Sequence, residues 1–260
     1  MKGASFATRV ALSVAAGLLL TAATIDRARA DEIKVLTSVA LTSALDELKP
    51  QFEKATGHKL TIGYALIAEV RKRVLDGETA DVLILSRPVM EELQKQGKLT
   101  PDAITNIAGT AVALVVRAGA PKPDIGTVDA LKKTLLDAKS IAYSDPAKGG
   151  ASGVYFAKVL DRIGIADQVK AKTILVAGAL APEVVAKGEA EIGCAQTSEI
   201  VPVAGTQLVG GLPGELASIT LFAGALMPGS KAPDAAKSLI QFLTGPAAAP
   251  LLKAKGFQPG

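Results

Sequence analysis

Val112-Ala113-Leu114-Val115-Val116 is an unbroken apolar run, closed off shortly afterwards by Ala120-Pro121-Lys122-Pro123. A run this short between turn residues suits a strand buried on both faces, as in α/β proteins. On its N-terminal side, strands Ile33–Leu36, Leu60–Ile62 and Asp81–Leu85 alternate with helical patterns. The first helix starts near Thr42 and carries Leu41, Leu45, Leu48 and Phe52; the second runs Ile67–Asp76 and stops at Gly77; a third spans Val89–Gln96. On its C-terminal side the alternation resumes with a Val128, Leu131, Leu135, Ala138 helix and the strand Ser140–Tyr143. A glycine-rich turn then leads into a helix over Gly153–Ile163, and strands Lys172–Val176 and Glu191–Ala195 flank a helix near Ala181–Lys187. Ala217–Ala225 reads as a returning strand, and two short helices, Asp234–Leu243 and Pro246–Lys253, break at Thr244-Gly245-Pro246. Such alternation implies α/β layers with mostly parallel sheets and flanking helices. The two series join near residues 110 and 220, which predicts two lobes, 31–110 plus 222–260 and 111–221, linked by two crossovers. A ligand cleft is expected between them, at the carboxyl ends of the strands.

Composition narrows the function. The chain has 260 residues, 49% hydrophobic and 21% charged, enough to bury a sizeable core and too apolar for disorder. With 3% aromatics and no Trp it makes a poor stacking surface for nucleic acid. One Cys and one His cannot form a zinc cage, an iron–sulfur site or an internal disulfide, so no metal or other cofactor is expected. Lys2 and Arg9, the apolar Val10–Ile25 and Ala28-Arg29-Ala30 together read as a secretory leader, cleaved near Ala30. Residues 1–30 are therefore assigned to a signal peptide, and the mature chain to the periplasm without membrane insertion. Four of the 29 cations and one of the 25 anions lie in that leader, so the formal charge falls from +4 to +1. A nearly neutral mature chain removes the electrostatic case for nucleic-acid binding.

Several residues at the ends of strands are candidates for ligand contact. Ser144-Asp145-Pro146-Ala147-Lys148-Gly149-Gly150-Ala151-Ser152-Gly153 opens a helix, and small residues there would let backbone N–H groups and the positive helix end face an anion. Ser152 would add a hydroxyl; an N-cap on a flexible loop is the plainer meaning of the same residues. The loop lacks the Gly-Lys-Ser/Thr of a phosphate-binding P-loop and the second glycine of a nucleophile elbow. Ser38 follows the first strand and suits either a ligand contact or helix capping. In Arg71-Lys72-Arg73, Arg73 lies one turn before Gly77; it either joins a solvated face or turns inward to hold a carboxylate. His58 pairs with no nucleophile motif, which disfavours hydrolysis, and Cys194 reads as a small core residue. Glu199 and Tyr155 are the remaining titratable candidates near strand ends, and no catalytic residue is assigned.

The mature chain resembles the periplasmic molybdate-binding protein family, a branch of the type 2 solute-binding proteins. The resemblance rests on Leu41-Thr42-Ser43-Ala44-Leu45, Gly77-Glu78-Thr79-Ala80-Asp81-Val82, Ser144-Asp145-Pro146, Ser152-Gly153-Val154-Tyr155, Glu191-Ile192-Gly193 and Phe242-Leu243-Thr244-Gly245-Pro246. It implies a two-lobe periplasmic binding protein that closes on a small anionic ligand and docks on an ABC permease, acting as a monomer. It also implies contacts at the Ser152-Gly153 helix end and at Gln196, which stands where the family has a late Tyr. Two family hydroxyls are replaced, by Ala40 and within Leu66-Ile67-Ala68, so molybdate or tungstate fits less well than an organic polycarboxylate. The detailed pattern is similar to a sister branch that includes periplasmic aconitate isomerases, through Leu36-Thr37-Ser38, Ser140-Ile141-Ala142-Tyr143-Ser144 and Gln196-Thr197-Ser198-Glu199. That branch implies a tricarboxylate ligand, with Ser38, Arg73 and Ser152 suited to its carboxylates. The leading expectation is an importer's binding protein. The alternative is an enzyme interconverting cis- and trans-aconitate by a proton shift.

Overall fold

A computed structural model describes residues 30–101 and 104–260; the leader assigned to residues 1–30 lies, apart from Ala30, outside the described residues. The first series comprises β1 (Glu32–Ser38), α1 (Thr42–Thr56), β2 (Lys59–Ala65), α2 (Ile67–Leu75), β3 (Val82–Ser86) and α3 (Arg87–Lys95). A long strand, β4 (Thr105–Arg117), leads into α4 (Val128–Asp137), β5 (Ile141–Ser144), α5 (Ala151–Arg162), α6 (Ala166–Val169), β6 (Thr173–Val176) and α7 (Ala181–Ala186). The remainder is β7 (Ile192–Gln196), α8 (Thr197–Ile200), β8 (Thr206–Gly211), β9 (Ile219–Leu226), α9 (Pro233–Thr244), α10 (Ala249–Ala254) and β10 (Gln258–Pro259). No described helix is long and apolar enough to cross a membrane.

The strands lie in the order β2-β1-β3-β9-β4-β7-β5-β6, with β8 and β10 also on β4. β4 is shared between two sheets. Its first half pairs with β9 from Thr105 to Ala111; its second half pairs with β7 from Val112 to Val116. Pairings within each flank, β1 with β2 and β3 and β5 with β6 and β7, are parallel, as the βα alternation requires. Every pairing of β4 and β9 is antiparallel, because these are the strands by which the chain passes from one half to the other and back. The expectation of mostly parallel sheets thus describes the flanks, and the sheet as a whole is mixed.

The apolar run in β4 behaves as its pattern demands. Val112, Leu114 and Val116 enter one core, packed with Leu131, Ile141 and Phe156, while Ala113 and Val115 enter another with Ala142, Val185 and Ala195. Alternate side chains of a strand point to opposite faces, so a run without polar residues fills both layers. A third core, with Leu48, Phe52, Val82 and Phe222, belongs to the first sheet. In α1, Leu45, Leu48 and Phe52 are buried on one face, and the helix ends where Gly57 donates its N–H to the Glu53 carbonyl at 2.9 Å.

Candidate functional site

The parallel strands of both sheets end at a common seam between the halves, and the turns that follow them carry the polar residues. At the end of β1, Ser38 is buried and its Oγ accepts from the Ala40 N–H at 3.3 Å, holding a tight turn before α1. After β5, Asp145 Oδ1 accepts from the Ala147 N–H at 2.9 Å, Gly149 turns the chain at φ +74°, and α5 starts without a side-chain cap. Ala151 packs against the core of the first sheet, so this loop bridges the seam. A Cβ at Gly149 would lie 2.2 Å from the Ala68 Cβ, and one at Gly150 would lie 2.6 Å from Ser144 Oγ and 3.4 Å from Leu66 Cδ2. Across the seam the two halves are therefore in van der Waals contact.

A cavity of about 540 Å³ is walled by Thr42 and Ser43 from the first half and by Gly178, Glu183, Ser198 and Glu199 from the second. Among the described residues, five buried side-chain atoms have no hydrogen-bond partner: Ser43 Oγ, Ser144 Oγ, Glu183 Oε2, Gln196 Oε1 and Ser198 Oγ. All five sit at the end of a strand or in the first turn of the helix that follows it. Each such atom costs about 1–3 kcal/mol when left unpaired, and three of them, in Ser43, Glu183 and Ser198, belong to residues that line this cavity. Ser198 is 2% exposed and Gln196 1%, so bulk water does not reach them freely.

Glu199 is the titratable group of this wall. The Gln196 N–H donates to its Oε2 at 2.9 Å, and the Ser152 hydroxyl donates to the same carboxylate. Although the residue keeps some exposure, its carboxyl group is enclosed, and this burial pushes its pKa up to about 7. The Glu183 charge nearby acts in the same direction, against the two hydrogen bonds. Burial also pushes the Cys194 thiol well up, in keeping with a core residue.

Of the residues singled out from sequence, Ser38, Ser152, Gly153 and Gln196 all lie at this seam. The Gln196 Nε2 donates to Thr220 Oγ1 of β9 at 2.8 Å. Arg73 is bound to a carboxylate of the chain itself. Its Nε and Nη2 donate to Glu78 at 2.6 and 2.9 Å, and Lys34 near the start of β1 binds the same carboxylate at 3.0 Å. The guanidinium is satisfied by Glu78 and lies alongside β2, its Nη2 3.7 Å from where a Cβ at Gly63 would be. Ser144, the last residue of β5, opens the glycine-rich loop singled out from sequence. Ser43 and Ser198 follow a strand by a few residues, a signal visible in sequence, whereas nothing in the sequence around Glu183 sets it apart.

The Arg73–Glu78 pair gives a testable contrast. The Arg73 guanidinium holds the Glu78 carboxyl down to about 2 from an ordinary 4.5. A depressed carboxyl stabilises the fold above its unfolded pKa, and that stability is lost as pH falls from about 4.5 towards 2. Urea unfolding of Glu78→Gln should show an acid-limb loss smaller by about 1 kcal/mol, since both side chains keep contact with water. Arg73→Ala should leave ligand affinity unchanged.

The family model described as bacterial extracellular solute-binding protein matches residues 33–258. The chain is similar to an aconitate isomerase of Pseudomonas sp., 35% identical over 233 residues that cover 87% of each chain. It is also similar to a molybdate-binding protein of Azotobacter vinelandii, 29% identical over 257 residues, 96% of this chain and 97% of that one. Among solved structures, the Azotobacter vinelandii periplasmic molybdate-binding protein superposes with a TM-score of 0.72 at 22% identity, covering 88% of this chain and 99% of the other. The sulfate-binding protein of Mycobacterium tuberculosis superposes with a TM-score of 0.69, also at 22% identity, over 88% and 87%.

Proposed function

The chain belongs to the bacterial extracellular solute-binding protein family, and from that premise we propose that it captures a small organic polycarboxylate in the periplasm. The two lobes, 31–110 plus 222–260 and 111–221, close on the ligand and present it to an importer's permease. The observation that carries this reading is the set of unpartnered buried atoms at the seam. Three are serine hydroxyls, neutral donors able to take carboxylate oxygens, and the uncapped start of α5 adds backbone N–H groups. Elsewhere along the seam the first half is apolar where a tetrahedral oxyanion would need donors: Ala40 is buried, and Leu66 and Ala68 face the Gly149-Gly150 turn. A ligand with a carbon skeleton and carboxylates at its ends uses both kinds of wall.

Thermal unfolding with citrate, cis-aconitate, trans-aconitate, molybdate and tungstate tests this. A selective ligand at 100 times its Kd stabilises by about 2.7 kcal/mol, a Tm rise on the order of 5–10 °C for a chain of this size. That rise is expected with a polycarboxylate. Stabilisation by micromolar molybdate alone overturns the ligand class.

One observation favours a second reading, in which the bound acid is also transformed. Glu199 has a pKa near neutrality in the wall of the cavity, as a proton-transfer group requires, and the relative at 35% identity is named an aconitate isomerase. Under this reading the chain interconverts cis- and trans-aconitate by moving one proton, with no redox change. Product formation from trans-aconitate, followed by chromatography, separates the two readings.

A further inference from the structure

Two carboxyl groups wall the cavity between the halves, and only one of them is in use. Glu199 is committed to the protein itself: it caps the start of α8, its Oε2 accepting from the Gln196 N–H at 2.9 Å, and the Ser152 hydroxyl donates to the same group. Glu183, from the first turn of α7, has a buried Oε2 with no partner. Lining the same space are the unpaired hydroxyls of Ser198, which is 2% exposed, and of Ser43 from the first half. Among the described residues, those that wall the cavity include no Lys, Arg or His. A free carboxylate oxygen with no cation opposite is a poor neighbour for an acid with several negative charges, since like charges in an enclosed site repel. The same oxygen is a ligand for a hard cation, and a cation placed between the two carboxylates turns that repulsion into attraction.

We propose that a divalent cation of the magnesium type joins Glu183 Oε2 to a carboxylate of the bound polycarboxylate, so that the acid is captured as its metal complex. The inference rests on the polycarboxylate reading of the seam and states the form in which the acid binds. One free carboxylate oxygen and two hydroxyls make an all-oxygen donor set, as magnesium and calcium require. These are too few to hold the ion alone, and no group of three or more His, Cys, Asp or Glu among the described residues could do so. Magnesium keeps several waters, takes one or two protein carboxylates and completes its shell from the oxygens of a substrate. A cavity of about 540 Å³ has room for a partly hydrated ion beside a small acid. The Ser43 and Ser198 hydroxyls both donate and accept, so they serve the acid's oxygens and the ion's waters alike. The cation is then part of the cargo, arriving and leaving with the acid, rather than a resident cofactor.

Titration calorimetry of the full chain with citrate tests this, once in EDTA and once in magnesium chloride, with thermal unfolding as a second readout. Magnesium should tighten citrate binding by about tenfold or more, and citrate should tighten magnesium binding by the same factor. Free citrate falls when magnesium is added, so a site indifferent to the metal would show weaker binding, the opposite sign. Magnesium chloride alone should leave the Tm unchanged. Glu183→Gln removes the charge and keeps the shape; it should lose the magnesium effect and, in EDTA, bind citrate at least as tightly as the unaltered chain. Should that variant fail to fold, Glu183→Asp, with the carboxylate drawn back by one carbon, should show a reduced magnesium effect. An undiminished effect in either variant overturns the assignment to Glu183. Citrate bound equally well in EDTA and in magnesium overturns the bridging cation and leaves the binding reading intact. A Tm rise with magnesium chloride alone means an ion site independent of the acid and also overturns it. If no polycarboxylate binds under either condition, the binding reading fails and this inference with it.

Discussion

Gly153→Ala should lower the melting temperature by on the order of 10 °C and abolish ligand-induced stabilisation. A Cβ at Gly153 would lie 2.0 Å from the Ser144 carbonyl oxygen and 2.8 Å from its carbon. Both are backbone atoms at the end of a buried strand, so neither can swing aside as a side chain would. Relief requires α5 to shift away from β5. Overpacking of this kind costs about 1–3 kcal/mol where the surroundings can yield, and this contact belongs at the upper end of that range. For a chain of this size each kcal/mol is worth about 2–4 °C. The same shift carries Ser152 away from Glu199 and changes the pocket around Ser144, so binding is lost along with stability. Calorimetry on the purified variant gives both numbers, and a Tm within 2 °C of wild type would show that the helix start does not press on β5.

Gly149→Ala should act on closure more than on folding, and its expected effect is a loss of affinity of about 100-fold. The residue has φ +74°, where an L side chain costs about 1–2 kcal/mol, and this strain falls on stability. The added methyl would also lie 2.2 Å from the Ala68 Cβ on the opposite half. A clash worth about 1–3 kcal/mol in the contact formed between the halves corresponds to a rise in Kd of about 5- to 150-fold. Ala68→Gly in the same chain removes the obstructing carbon and should recover most of the affinity, while the backbone strain and the lower Tm remain. Titration calorimetry of the two single variants and the double variant completes the cycle. Equal losses in Gly149→Ala with and without Ala68→Gly would mean that the methyl contact does not limit closure.

The sequence makes the architecture legible wherever a single residue pattern decides it. Val112–Val116 reads as a strand buried on both faces, and its side chains enter two cores. The first half of the same strand, Thr105–Ala111, mixes Thr, Asn, Gly and Ala with a lone Ile and gives no strand signal; it is a strand because β9 lies alongside it. β8 escapes for a similar reason, ending in Gly210-Gly211 and remaining half-buried. At the site, strand-end turns pointed to Ser38, Ser152, Gly153 and Gln196. The partner of Arg73, Glu78, lies beyond the end of α2, and only the turn between them shows that the guanidinium is paired. That atoms of Ser144, Ser198 and Glu183 are unpaired is not legible in the sequence, since it depends on what fails to approach them in three dimensions.

The position of β9 has a consequence for the order in which the chain can mature. In the first sheet β9 lies between β3 and β4, although more than a hundred residues separate its sequence from either β3 or the start of β4. Until residues 219–226 emerge from the ribosome, β3 has an open edge and β4 lacks its neighbour, so the earliest-made half cannot complete itself. A nascent chain that has to wait for its own end keeps its apolar strand edges uncovered for most of its synthesis.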